Sequence, residues 1–158
     1  KVIQLIDDAN AKDIKIEKDN NGKDVAKELI YGQRMGEMIE RFAPDADEVN
    51  KIAVHGQHIQ RWTSPRSDYP MNKKGYHLWR SRLYSYHADT VCGLMEQVGY
   101  DKTSIERVKL SVGKKALKTN ADTQMLENIA AMVFIEYYMQ AMADKFNEYS
   151  EEKWIDII

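Results

Sequence analysis

The sequence predicts an all-α fold, and three of its features support this prediction. Turn-forming residues are sparse, with eight Gly and three Pro in 158 residues, which favours long helices over many short strands. A hydrophobic fraction of 43% is enough for a genuine core. From Met125 to Ala143, apolar residues occupy nearly every side of a helix, and such a helix is expected to be buried. We therefore predict one compact helical domain over residues 1–158, packed around a central helix at about 125–143.

The other predicted elements follow from periodicity and from helix-breaking residues. The turn signal Asn20-Asn21-Gly22 indicates either a small hairpin or a loop. Pro65 and Pro70 each interrupt a helix, so the segment around them is a loop. Ser150 is placed to cap a last helix that the end of the chain truncates. We expect the remaining helices at about 2–11, 24–42, 46–62, 75–98 and 104–115.

Composition restricts where the protein is expected in the cell and which kinds of site it can contain. No run approaches the roughly 18 apolar residues that a membrane span needs, so no membrane partner is expected. The N-terminal residues do not have the pattern of a signal peptide. Cys92 is the only cysteine, which excludes an internal disulfide or a cysteine metal cluster. Cytoplasm is the expected location, and the oligomeric state stays open.

Charge is distributed unevenly along the chain. Residues 61–118 hold twelve Lys and Arg against five Asp and Glu, whereas the rest of the chain is acidic. Arg61, Trp62 and Arg66 interleave cations with an aromatic ring, a combination that suits phosphate binding and base stacking. The pattern indicates a site for a small anionic ligand, or more weakly for nucleic acid. The alternative is an ordinary mixed surface on a proline-stiffened connection.

Two polar residues fall within helical stripes that are otherwise apolar. His87 lies in the middle of the apolar face of the helix at 75–98, and Glu136 lies in the middle of the face of the predicted central helix. A buried carboxylate must pair, bind a metal or take a proton. We predict that the two side chains are buried and close together, either as a satisfied core pair or as part of a site. His55 and His58, spaced i and i+3, offer two further ligands for an ion.

Four stretches of the chain resemble a helical domain family of unknown function from bacteria and fungi. They lie within 27–35, 57–71, 75–89 and 126–136, and the most specific is Gln57-His58-Ile59-Gln60-Arg61-Trp62. Some members of this family are labelled as similar to glutamyl-tRNA synthetase. The resemblance covers essentially the whole chain and implies a helical fold without implying an activity.

The order of the polar residues is also loosely similar to the HD phosphohydrolase superfamily, in which histidines and aspartates hold a metal between helices. His58 and His87 take the places of the first two histidines, while Ala88 stands where the superfamily has an Asp. The late acidic position falls on Glu127 or on Glu136. The similarity implies an HD-like arrangement with a divalent metal ion held by His58 and His87.

Two functions are therefore expected for a polar site between helices. The first is metal-assisted hydrolysis of a small phosphorylated or nucleotide substrate, with Glu127 and Glu136 as catalytic carboxylates and Arg61, Trp62 and Arg66 binding the substrate. The second is non-catalytic binding of an anionic ligand, a nucleotide or RNA. We further expect His58, Arg61 and Arg66 to border one pocket.

Overall fold

The computed structural model of the protein describes residues 1–155. The regular elements follow one another as α1 Val2–Asn10, β1 Ile16–Lys18, β2 Asp24–Ala26, α2 Lys27–Phe42, α3 Glu48–Gly56, α4 Lys73–Gln97, α5 Lys102–Val112, α6 Ala121–Val133, α7 Met139–Lys145 and α8 Glu151–Ile155. Two short 3₁₀ helices, Arg61–Thr63 and Arg66–Asp68, lie between α3 and α4. The mostly helical architecture confirms the predicted fold class.

Helix α3 lies at the centre of the packing. It contacts α1, α2, α4, α5 and α6. Ile52, Ala53 and Val54 are each at most 1% exposed, so α3 is covered on several sides. Neighbouring helices approach it closely at two glycines: an added Cβ would lie 2.8 Å from His55 Nδ1 at Gly36 and 2.6 Å from Val91 Cγ2 at Gly56. The central helix of the fold is therefore α3.

The prediction of a buried central helix at 125–143 is correct only for its first half. Leu126, Ile129 and Val133 of α6 are buried as expected. At Phe134–Tyr138 the helix widens into a π-helix, and within this turn and α7 no residue is fully buried. A π turn holds more residues than an α turn, so a wheel with 3.6 residues per turn misplaces every side chain beyond Val133. The aromatic residues there cover the edge of the domain instead of filling its centre.

A small hairpin precedes α2. The strands β1 and β2 are antiparallel, with Ile16 opposite Ala26, and Gly22 in the turn has φ 77°. The hairpin takes the residues predicted to start α2, so this helix begins at Lys27 instead of near Asp24. Arg34 of α2 pairs with Glu17 of β1 and donates to the hydroxyl of Tyr138 at 2.9 Å, which joins the hairpin to the π-helix.

Helix α3 ends earlier than the sequence predicts. It stops at Gly56, and Gln60 adopts a left-handed conformation with φ 52°. The backbone N–H of Gln60 donates to Asn10 Oδ1 at 2.9 Å, which holds this turn against α1. As a result, the residues from Gln57 to Trp62 do not form one straight helical face but a bend that opens onto the space between α2, α4 and α6.

The C-terminal helix starts as expected, with the Ser150 side chain accepting from the N–H of Lys153 at 3.3 Å. Its predicted continuation over 156–158 lies outside the described residues. Among residues 1–155, none of the helices has both the length and the apolar character that a membrane crossing requires.

The crowding around α3 predicts the effect of adding one methyl group. Gly56→Ala places its Cβ against the buried Val91 side chain, and we expect it to lower the free energy of unfolding by about 1–3 kcal/mol. Gly93→Ala is the matched control, because Gly93 lies on α4 with no atom within 4 Å of an added Cβ. That change should stabilise the protein by roughly 0.5–1 kcal/mol through helix propensity. Urea denaturation of both variants measures the difference, and equal midpoints would contradict the close packing of α3 and α4.

Candidate functional site

A cleft opens where the end of α3 meets α2, α4 and α6. It consists of two adjoining cavities with volumes of about 440 and 590 Å³. Both volumes lie in the range of roughly 300–1,000 Å³ that is typical of small-molecule sites. The residues that line both cavities are Tyr31, His58, Arg61, Ala130 and Phe134. We refer to this combined space as the α3 cleft.

His58 lies between the two cavities. Its ring stacks on Tyr31 with 4.3 Å between centroids, and its Nδ1 is 3.7 Å from Glu28 Oε2. Arg61 also contacts the ring, with Nη1 3.1 Å from Nε2 and 3.3 Å from Nδ1. Burial, reinforced by the positive charge of Arg61, lowers the pKa of His58 well below its usual value. The imidazole is therefore neutral at neutral pH.

His87 is buried beside His58, as its position on α4 predicts. The ring is 2% exposed and its centroid lies 5.9 Å from that of His58. Its Nδ1 lies 2.8 Å from the carbonyl oxygen of Ile59, so this nitrogen carries the proton and donates it. Burial lowers the pKa of His87 to about 4. The opposite nitrogen, Nε2, has no hydrogen-bond partner among the described residues, which leaves a buried acceptor unsatisfied at a cost of about 1–3 kcal/mol.

A chain of side-chain contacts forms another part of the wall of the second cavity. Gln57 donates to the hydroxyl of Tyr31 and accepts from Lys114 Nζ at 2.8 Å. Lys114 also forms an ion pair with Glu127. Its backbone is left-handed, with φ 55°, a conformation that costs roughly 1 kcal/mol or more for a residue with a side chain. Burial lowers the pKa of the Lys114 ammonium, and Glu127 opposes this shift.

Glu28 is a candidate that the sequence analysis missed. Its carboxyl group lines the first cavity and is only 9% exposed. Burial raises the pKa of Glu28 to about 7, with Arg61 acting in the opposite direction. Glu28 precedes Gly32 by four residues and Met35 by seven, on the buried face of α2. The same signal that singled out His87, a polar residue within an apolar stripe, was therefore present here as well.

Cations outnumber carboxylates in the walls of the α3 cleft. The cationic residues are Lys15, Lys27, Arg61, Arg66, Arg80 and Lys114, and the acidic ones are Glu28 and Glu127. Arg61 lies over the ring of Trp79 at 5.4 Å, and Arg80 Nε donates to the Tyr84 hydroxyl at 2.9 Å. Within residues 1–155 neither Arg61 nor Arg80 forms an ion pair with a carboxylate.

The structure brings His58, Arg61 and Arg66 to one cavity, together with Trp62. However, the guanidinium of Arg66 donates to the carbonyl oxygens of Tyr69 and Pro70 at 3.0 and 2.8 Å, and of Asn72 at 3.3 Å. Such bonds to backbone carbonyls are expected if the loop is a structural connection and not a binding site. Arg66 therefore holds the 66–72 loop closed, which leaves Arg61 as the available guanidinium on this side of the cleft.

The predicted pairing of Glu136 with His87 is wrong. Glu136 lies on the π-helix with its side chain 36% exposed, and it pairs with Arg41 at 2.9 and 3.1 Å. The change of helical pitch at Phe134 turns it away from the face that α6 presents to the core. Glu127 does line the second cavity, in its ion pair with Lys114. His55 and His58 also do not form the expected ion site together, because His55 pairs with Asp7 at 2.6 Å.

The two proposed metal ligands, His58 and His87, line the same second cavity. Within residues 1–155, no group of three or more His, Cys, Asp or Glu side chains is arranged to hold a metal ion.

The raised pKa of Glu28 predicts a pH-dependent stability. Between its ordinary pKa of 4.5 and about 7, the native state holds this proton more tightly than the unfolded chain does, so the contribution of Glu28 falls as pH rises through that window. Glu28→Gln removes the penalty. We expect this variant to match the wild type near pH 4 and to exceed it by up to about 3 kcal/mol above pH 8.

Denaturant unfolding of both proteins at each pH gives the measurement. The difference between the two is the quantity to compare, because the lowered pKa values of His58 and His87 make stability rise with pH and partly mask Glu28 in the wild type alone. Glu37→Gln, an exposed position on the same helix, is the control for losing a carboxylate from α2. A difference that does not change with pH would mean that the pKa of Glu28 is the same in the native and the unfolded state.

Comparison with known proteins identifies a family but no activity. No significant match is found among curated proteins or among solved structures. One family model, described as a domain of unknown function (DUF4202), matches residues 1–158. This match confirms the resemblance that the motifs indicate, and the chain belongs to the DUF4202 family.

Proposed function

We propose that the α3 cleft binds a small ligand through an anionic group, either phosphate or carboxylate. The observation that carries this proposal is the pair of guanidinium groups, Arg61 and Arg80, which face the cleft without a carboxylate partner in the described part of the chain. Buried and half-buried cations without counter-charges are unfavourable, and an anionic ligand relieves that cost.

The chemistry of the walls supports this assignment. A guanidinium offers several N–H donors in a planar fork that matches the oxygens of phosphate and carboxylate. Arg61 is preorganised by its contact with the Trp79 ring, and Arg80 by its bond to Tyr84. Lys114 adds a third positive charge, partly offset by Glu127. An anion between these groups lies in a partly enclosed space, where charge interactions are stronger than at an open surface.

The first cavity supplies an apolar surface beside the cations. Its aromatic residues are Tyr31, Trp62, Trp79, Phe134 and Tyr138. Rings of this size pack against a planar or apolar part of a ligand and contribute most of the buried area in small-molecule sites. The arrangement therefore suits a ligand that has one anionic end and one less polar end, as a nucleotide does.

A second candidate function, acid–base catalysis on the bound ligand, is favoured by Glu28. Its pKa of about 7 leaves comparable amounts of acid and base at neutral pH, which is the condition that favours proton transfer. His58 lies 3.7 Å from it and its pKa is lowered, so Glu28 is the group that exchanges a proton with the ligand. Proton transfer by Glu28 is a different mechanism from the metal-assisted hydrolysis of a small phosphorylated substrate that the resemblance to HD phosphohydrolases implies.

The same residues give less support to a divalent metal as cofactor. A metal between His58 and His87 would lie close to Arg61, Arg80 and Lys114, all of which repel a cation. Glu136, a carboxylate proposed for that chemistry, pairs with Arg41 outside the cleft. Stoichiometric metal in protein purified without chelator or affinity metal would overturn this view, and elemental analysis decides it.

Arg61→Gln tests the anion site directly. Isothermal titration of the full chain with inorganic phosphate, at constant ionic strength, should show saturable binding that weakens roughly 10- to 100-fold in the variant, because a charge-assisted hydrogen bond contributes about 1.5–3 kcal/mol. Arg80→Gln should weaken binding in the same way. Arg82→Gln is the matched control, since Arg82 is exposed on α4 and does not line the cleft.

Thermal unfolding of each variant establishes that it is folded before titration. Equal affinity in wild type and Arg61→Gln would show that phosphate does not bind at Arg61. An equal loss in Arg82→Gln would indicate a general effect of surface charge. Binding of phosphate by none of the proteins would remove the proposed anion site.

A further inference from the structure

One residue that lines the α3 cleft has a buried hydrogen-bonding atom without a partner in the described part of the chain. This atom is Nε2 of His87, which is buried and has no partner among residues 1–155. His87 lines the second cavity together with Arg61, Arg80 and Lys114. A buried acceptor without a partner is uncommon in folded proteins, and it calls for an explanation.

The hydrogen bond at Nδ1 determines which nitrogen of His87 carries the proton. The carbonyl oxygen of Ile59, 2.8 Å from Nδ1, only accepts hydrogen bonds, so Nδ1 carries the proton. Nε2 of the neutral ring is then an acceptor with a free lone pair. A fully ionised phosphate or carboxylate, the form that the neighbouring cations favour, cannot bind it, because two acceptors do not form a hydrogen bond.

The neighbouring side chains do not supply the missing donor. The amide N–H group of Gln57 is directed to Tyr31, and the Lys114 ammonium contacts Gln57 and Glu127. Arg80 donates to Tyr84, and Arg61 lies beside His58. A donor for His87 therefore has to come from outside this set of contacts.

We propose that the ligand of the α3 cleft donates a hydroxyl hydrogen bond to His87 Nε2, in addition to binding Arg61 and Arg80 through its anionic group. The ligand class is a phosphorylated or carboxylated polyol, such as a sugar phosphate or the ribose phosphate of a nucleotide. This inference rests on the proposed anion site and specifies the second group of the same ligand.

Charge selects a hydroxyl over an amine as the donor. A protonated amine at His87 would lie among Arg61, Arg80 and Lys114 and would be repelled by all three. A hydroxyl is neutral and avoids this repulsion. The site is also small enough for a polyol phosphate, because Arg61 contacts the His58 ring and the centroid of that ring lies 5.9 Å from that of His87.

Matched ligands test the proposal on the full chain. Glycerol phosphate and ribose phosphate carry hydroxyl groups, whereas propyl phosphate carries the same anion without them. By isothermal titration, at least one of the two polyol phosphates should bind wild type roughly three- to tenfold more tightly than propyl phosphate, the gain expected of one neutral hydrogen bond.

His87→Asn is the matching variant. The Asn side-chain amide can still donate to the Ile59 carbonyl, but it lacks an atom at the position of Nε2. The preference for the polyol phosphate over propyl phosphate should disappear in this variant. A preference that persists in folded His87→Asn would overturn the assignment to His87.

An NMR measurement on the wild type tests the proposal even if His87→Asn does not fold. The nitrogen NMR resonance of His87 Nε2 should move upfield when the polyol phosphate binds and stay in place with propyl phosphate. Equal affinity for both ligand types in wild type, with no movement of this resonance, contradicts the inference while leaving the anion site intact. Failure of every phosphate ligand to bind instead contradicts the proposed function itself.

Discussion

The close packing of neighbouring helices around α3 is the constraint on which the rest of the structure depends. Gly36 and Gly56 allow α2 and α4 to approach distances that a side chain would block. Since α3 is short and enclosed, the chain has to leave it in a turn against α1, where the Asn10 side chain accepts from Gln60. That turn places His58 and Arg61 in the cleft. The packing of the core and the geometry of the site therefore have the same origin.

Opposing electrostatic effects meet in this small space. Burial favours the neutral forms of Glu28, His58 and His87. Near neutral pH the two histidines are therefore uncharged and Glu28 is partly protonated. A guanidinium is always charged in proteins, so Arg61 and Arg80 contribute fixed positive charge. The cleft consequently combines neutral hydrogen-bonding groups with fixed positive charge. This combination supports the proposed role, in which the cleft recognises an anion by charge and the rest of the ligand by hydrogen bonds.

The sequence predicted what depends on local periodicity and missed what depends on irregular backbone. His87 was placed in the core because α4 is regular, so a helical wheel applies along its length. The same reasoning failed for Glu136, because a π turn precedes it. Lys114 offered no signal, since it follows the end of α5 with a positive φ and reaches Glu127 only in the folded chain. The binding of loop carbonyls by Arg66 likewise depends on the conformation after Pro65, which the sequence restricts but does not determine.

The central claim is that the α3 cleft is the anion-binding surface of this protein. An NMR titration of the full chain with inorganic phosphate, following backbone amides and arginine Nε–H groups at constant ionic strength, locates that surface residue by residue. We predict saturable changes at residues 57–61 and at Arg80 and Lys114, with the exposed Lys102 and Lys118 unaffected. Changes that are largest at Lys102 and Lys118, or that rise without saturation over the whole surface, would contradict the claim.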